Sequence, residues 1–412
     1  MILLSVALAS TLTLTAPENG VQFDPLTPCT REFLGNHDKR VNPIPPVPPL
    51  SPEEEKAKAE FEAKHSECID DGSGSLPKWN RHWKHFIRNE WTEDLFNRCK
   101  KESETLRPFK WTADFKPEYF TVEFSETADF AKSFHEKTVH SAIFPHYLKF
   151  QRSYFWRVKA KDADGKEVVS DVRSFSTLDG FPRVIGAPQY NWRDIGGGVN
   201  ADGKRIRQGM IYRMPHPINW GYPLRGEYEP NCPPTLEMLK EFYLDTLGIK
   251  SQCDLRGPDE AEEAEKQWKV YRLDKIGVKV VNIPVDPYHL EGYSRPNYAK
   301  AIKFFADKDN YPIMYNCAAG ADRTGSIGVL LDAILGRTDE QIYDDYEVTT
   351  LNWFCPRLRY NAGAREIFEE HFNPKSSKWG KHTIRENAIA YLLDSGVTRE
   401  DIDAIRKIMI ED

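Results

Sequence analysis

The spacing of hydrophobic and polar positions changes character along the chain. From about residue 108 to 178, apolar residues alternate with polar ones in YFTVEF, HYLKF, YFWRVKAKD and VRSFSTL. A period of two belongs to half-buried strands. Asp164-Gly165 is a tight hairpin signal between two such runs. These short strands predict a small β-sandwich over 106–180. From about 183 onward, strand-like runs (IKSQCDLR, VKVVNIPV, YPIMYN) alternate with helical ones. TGSIGVLLDAILG is an apolar helix ended by Gly336. Two closing helices, TIRENAIAYLLDS and REDIDAIRKIMIED, are joined by Gly396-Val397-Thr398. The alternation predicts an α/β domain over 183–412 with a central, mostly parallel sheet, so the chain is expected to be multidomain.

Before the sandwich, residues 17–105 read as an extension. VNPIPPVPPLSP at 41–52 is a stiff, polyproline-like connector. Ser51 and Glu54 form a capping-box pair that opens a charged helix, EEEKAKAEFEAKHSE. DGSGS at 71–75 is a break, and WNRHWKHFIRNEWTEDLFNRC reads as an aromatic helical adaptor whose Trp and His residues serve packing. The first sixteen residues, MILLSVALASTLTLTA, have the length of a secretory leader, and Ala7-Leu8-Ala9 fits a small-x-small cleavage pattern. No Lys or Arg precedes the apolar stretch. The expectation is a secreted or periplasmic protein. No later apolar run is long enough to span a bilayer.

The chain has 412 residues, 40% hydrophobic and 29% charged, with a formal net charge of -7. Such a balance attracts neither nucleic acid nor anionic lipid by charge alone. An anionic substrate would need a local cationic site. Seven cysteines are present, so at least one is unpaired. Cys29, Cys68 and Cys99 are candidates for a structural disulfide after export, with the pairing left open. No Cys/His spacing suggests zinc, and no cofactor is expected.

The decisive stretch runs from Tyr315 to Gly325, YNCAAGADRTG, between an apolar strand and an apolar helix. A loop of small residues (Ala318, Ala319, Gly320, Ala321) can curl so that successive amides point inward. That is an anion nest, and a helix N-terminus beneath it adds its dipole. Arg323 can grip two phosphate oxygens with its planar fork. The same field stabilises a thiolate on Cys317, which can then attack phosphorus. Thr324 can donate its hydroxyl to the sulfur when the thiolate leaves. The scheme needs no metal.

These residues resemble the protein tyrosine phosphatase superfamily, and within it the bacterial tyrosine and lipid phosphatases whose loop reads HCxAGKDRTG. NWRDIGGGVNADGKRIRQGMIYR (Asn191–Arg213) is similar to that family's NFRDLGG segment and the strand after it. CDLRGPDEAEEA from Cys253 is similar to its DLRSPEE segment, and GVTREDIDAIRKIMIED to its last helix. The resemblance implies a phosphatase fold with the loop at the carboxyl ends of the strands. It implies hydrolysis of phosphate monoesters, phosphotyrosine foremost with broader tolerance, on phosphorylated proteins or small esters. It assigns Cys317, Arg323, Asp322 and Thr324 to catalysis and residues 318–323 to phosphate binding. Two departures stand out: Asn316 replaces the usual His, and Ala321 replaces a Lys associated with phosphoinositides. The general acid is Asp322 by the resemblance or Asp286 in PVDPYHLEGYSR, a choice the sequence leaves open. Arg193, Asp194, Arg213 and Arg256 are expected to brace the loop or widen its cationic mouth. His289, Tyr293 and Arg295 are candidate substrate contacts by loop position. Alternatives are an inositol phosphate or phosphoinositide phosphatase, a rhodanese-like sulfur transferase, or a phospho-ligand-binding surface protein. Separately, YFWRVKAKDADGKEVVSDVRSFST resembles the last strands of a fibronectin type III domain, which implies a spacer or partner-binding module.

Overall fold

The computed structural model describes residues 10–44, 51–53, 55–56, 88–185, 191–216, 235–268, 272–351 and 356–411. Most of the charged helix expected after Ser51, the break at 71–75, and Cys68, Cys232 and Cys355 lie outside the described residues.

Two sheets share one apolar core in the N-terminal half. The first has the order β1-β3-β6, formed by Leu12–Ala16, Phe109–Ala113 and Ala142–Ile143. The second has the order β2-β9-β7-β4-β5, from Val21–Phe23 (β2), Phe120–Ser125 (β4), Ser133–Thr138 (β5), Ser153–Lys161 (β7) and Arg173–Thr177 (β9), with β8 (Glu167–Val169) on β7. Alternation decides what faces inward: Phe120, Val122 and Phe124 from β4, and Tyr154, Trp156 and Val158 from β7, are all buried. Two strands of this unit come from well before residue 106. β1 in particular occupies residues assigned above to a leader. Leu12 and Leu14 are buried in the sandwich core, paired with β3, so the strand begins within the sixteen-residue apolar run. Cleavage after Ala9 would leave β1 whole.

Three helices form a separate layer: α1 (Pro28–Leu34), α2 (His37–Val41) and α3 (Glu90–Thr105). Thr27 and Asn89 cap α1 and α3 with their side chains.

The C-terminal domain is built on the sheet β10-β11-β12-β15-β13-β14. Its strands are Arg183–Val184, Arg193–Asp194, Ile211–Pro215 (β12), Ser251–Asp254 (β13), Lys279–Asn282 (β14) and Ile313–Cys317 (β15). β12, β15, β13 and β14 run parallel, and the two short edge strands β10 and β11 are antiparallel. The main helices are α4 (Pro258–Trp268), α5 (Arg295–Ala306), α6 (Asp322–Ile334), α7 (Asp339–Glu347), α8 (Ile384–Asp394) and α9 (Arg399–Met409). β15 is buried on both sides, as a central parallel strand must be. Ile313, Tyr315 and Cys317 face one core with α5 to α9, and Met314 faces another with Trp192, Phe242 and Tyr243. Cys317 therefore ends a core strand on its helix-covered side.

Candidate active site

β15 stops at Cys317 and α6 starts at Asp322, so only four residues, 318–321, turn the chain. Gly320 makes the turn fit. Its φ is +64°, and a Cβ there would lie 2.6 Å from backbone atoms of Met214 and Pro215 on β12. Outer ties hold the loop's carbonyls. The His216 N–H donates to the Ala318 carbonyl at 3.0 Å, the Asn191 amide to Ala319 at 3.0 Å, and Arg213 to Gly320 at 3.3 Å. These bonds fix the carbonyls of three successive loop residues. The N-cap of α6 is Ala321, which has no side-chain oxygen to occupy the first turn's N–H groups.

Cys317 is 3% exposed. Arg323, on the first turn of α6, is close enough for the sulfur to favour its charge. Burial opposes that charge, but Glu260, Cys317 and Asp322 together outweigh burial and hold the pKa above the usual arginine value. Glu260 on α4 accepts both terminal nitrogens of Arg323, at 2.6 and 2.7 Å. Thr324 is fully buried, and its hydroxyl has no hydrogen-bond partner among the described residues.

Asp322 is engaged elsewhere. Arg357 donates to both of its oxygens, at 2.5 and 2.9 Å, and the Tyr288 hydroxyl donates to Oδ1. Burial alone would raise the carboxyl pKa, yet Arg357 and Tyr288 hold it below the usual range. A carboxylate kept ionised is poorly suited to hand over a proton. Asp286 sits half-buried after β14. Its N–H donates to Ser294, and its carbonyl accepts from Tyr298 at 2.5 Å. Burial raises the pKa of that Tyr298 hydroxyl.

Of the remaining expected residues, the buried ones form ion pairs with aspartates or hydrogen bonds between strands. Arg193 donates to Asp345 at 2.8 Å and to Thr349 at 2.9 Å, and Arg213 binds the other oxygen of Asp345. Burial and the neighbouring Arg213 push the Arg193 pKa down to about 10. Burial would raise the Asp345 pKa, but Arg213 and Arg193 hold it below the usual range. Asp194 accepts from Arg183 and from the amides of Gly196 and Gly209. Arg256 is forked onto Asp254 at 2.9 and 2.6 Å. Asn316 accepts from Gln252 at 2.8 Å and donates to Asp254 at 3.3 Å, tying β15 to β13. Of these groups Arg213 reaches the loop itself, at the Gly320 carbonyl, and Asn316 ties the strand that leads into it. Arg295 is drawn away to Ser395 and Asp394 at the end of α8, and His289 is exposed beside Glu366. The side chain of Tyr293 lies outside the described residues.

Sequence reasoning did not single out Glu260, Tyr288, Asp345, Arg357 or His216. Glu260 had a signal, an acid in the first turn of the helix after DLR. Arg357 had none, because it meets Asp322 from irregular chain 35 residues away. Tyr288 holds a left-handed backbone, φ +69°, with its ring packed where a Cβ on Gly363 would stand. His216 is buried beside the loop, and burial with Arg256 nearby pushes its pKa down to about 3, so its ring is neutral.

Residues 187–411 match the tyrosine phosphatase family. A tyrosine-protein phosphatase assigned in Cupriavidus necator is 28% identical over 212 residues, covering 46% of this chain and 71% of its own. Among solved structures, the core catalytic domain of the PP-IP phosphatase SIW14 from S. cerevisiae covers 39% of this chain and 83% of its own, at 18% identity and a TM-score of 0.25. A second structure of that catalytic core is 17% identical at the same score. Scores this low bear on neither fold nor substrate. The family match takes in β11, the loop, α6 and the last helix, more than half of the chain, and the chain accordingly belongs to the tyrosine phosphatase family of cysteine-type phosphatases.

Proposed function

We propose that the chain hydrolyses phosphate monoesters through a phosphocysteine on Cys317, with phosphotyrosine the preferred ester and tolerance for others. The observation that carries this is the placement of a buried sulfur at a strand end, with four residues between it and a helix whose first turn carries Arg323 and whose N-cap, Ala321, leaves the first-turn amides without a side-chain acceptor. The thiolate attacks phosphorus while the bond to the leaving oxygen breaks. Arg323, whose two terminal nitrogens Glu260 holds before substrate enters, and the amides of 318–323 take up the charge on the equatorial oxygens. Water then attacks phosphorus, the P–S bond breaks, and Thr324 donates its buried hydroxyl to the departing sulfur.

The proton for the leaving oxygen comes from Asp286 in this reading. Asp322, ionised between Arg357 and Tyr288, acts as the brace of the loop. Ala321 presents a methyl group where the family carries Lys, so the mouth is less cationic. That favours a singly phosphorylated ester over an inositol polyphosphate. The sandwich is read as a fibronectin type III-like module that binds a protein or surface partner, on a secreted or periplasmic protein.

The test is hydrolysis of a chromogenic aryl phosphate. Wild type turns over, vanadate inhibits, a chelator has no effect, and Cys317→Ser is inactive. Activity surviving in Cys317→Ser would end the proposal. Asp286→Asn should steepen the dependence of kcat on leaving-group pKa, whereas Asp322→Asn should lower kcat evenly across leaving groups.

A further inference from the structure

Cys29 lies in the first turn of α1 and Cys99 near the middle of α3, and both are free thiols. They are 4% and 1% exposed. Their sulfurs and a carboxylate oxygen of Glu102 all lie within 4.8 Å of one another. Glu102 also accepts the Cys29 N–H at 3.0 Å, pinning the start of α1 against α3. Around the thiols is a seam where Leu26, Phe33 and Leu95 meet Val348, Leu351 and Leu358 of the catalytic domain. Across the same seam Arg88 donates to the Thr350 carbonyl, and the Thr350 hydroxyl accepts the Arg357 N–H.

We infer that Cys29 and Cys99 are the sites of a disulfide that locks α1 to α3 where both rest on the catalytic domain. The chemistry of the seam favours this over a metal. Two cysteines and one carboxylate supply three donors, and no fourth lies with them among the described residues. A disulfide is neutral and apolar, which suits the seam. It forms by exchange with a low-molecular-weight disulfide during folding. One cysteine thiolate attacks the small disulfide and releases a small thiolate. The second cysteine then displaces the other half. Two small thiols leave with the two protons.

The full-length chain, refolded in a glutathione redox buffer, would be alkylated, digested without reduction and mapped by mass spectrometry. A linked peptide joining Cys29 to Cys99, lost on reduction, is expected. Reduction should lower the melting temperature by roughly 5 °C, and that shift should vanish in the Cys29→Ala/Cys99→Ala double variant. Full alkylation of both thiols in the refolded wild type would overturn the inference. So would a linkage of either to Cys68, or one zinc ion bound per chain and lost in the double variant.

Discussion

In the sandwich, Phe109 meets Phe124, Trp156 and Phe175 edge to face at 5.6, 4.9 and 5.0 Å, and a charged pair such as Arg157 and Glu123 stays toward solvent. In the catalytic domain, Arg183, Arg193, Arg213 and Arg256 are at most 2% exposed, each paired with an aspartate. Apolar packing is non-directional and yields gradually to a change of shape. An ion pair with forked hydrogen bonds fixes direction, and here it fixes loop carbonyls such as that of Gly320. Buried pairs are a poor source of net stability because desolvation offsets their attraction. Their concentration in the catalytic domain fits the proposal that the loop's amides must keep a fixed position around phosphate.

The largest break in this comparison is expected from Asp345→Ala. It strands Arg193 and Arg213 in the interior, and chemical denaturation should show a loss of about 3–5 kcal/mol. A loss under 1 kcal/mol would mean that the two guanidinium groups find other partners. In the sandwich, Phe109→Leu should cost less, about 1–3 kcal/mol, and leave kcat unchanged, since no residue of that core bonds to the loop among the described residues. The smallest effect concerns pH. Asp322 has a folded pKa below its unfolded value of roughly 3.9, so its contribution to stability is whole above about pH 4. It drains away as pH falls toward the folded pKa. Asp322→Asn should flatten that acid limb in thermal melts; an unchanged limb would assign it to other carboxylates.

The N-terminal helices extend the ionic side of the comparison beyond residues 187–411. Arg40 is fully buried and reaches Asp344 and Glu347 of α7, while Glu347 is also forked by Arg359. Nothing in the sequence around Arg40 or Arg88 marked either as part of the catalytic domain's frame. The hydrophobic periods did mark β4, β7 and β9 in the sandwich and β13, β14 and β15 in the catalytic domain, since burial on one face or two leaves its period in local sequence. By contrast HYLKF at 146–150, expected to be a strand, is irregular chain whose Tyr147, Leu148 and Phe150 are buried as packing. The periods gave no hint that Leu12–Ala16, inside an apolar run of leader length, would pair with β3, because such a run serves a strand and a leader equally well.

The sequence by itself marked Cys317 and Arg323 as the proposed nucleophile and phosphate arginine, and the strand, loop and helix that carry them. Their chemistry depends on neighbours within seven residues, and a short loop between strand and helix has little freedom to arrange them otherwise. Only the tertiary structure decided what Asp322 does, which group holds Arg323, and which cysteine Cys29 meets. Those answers rest on Arg357, Glu260 and Cys99, brought in from distant segments by the packing of whole helices, and no local pattern encodes contacts of that kind.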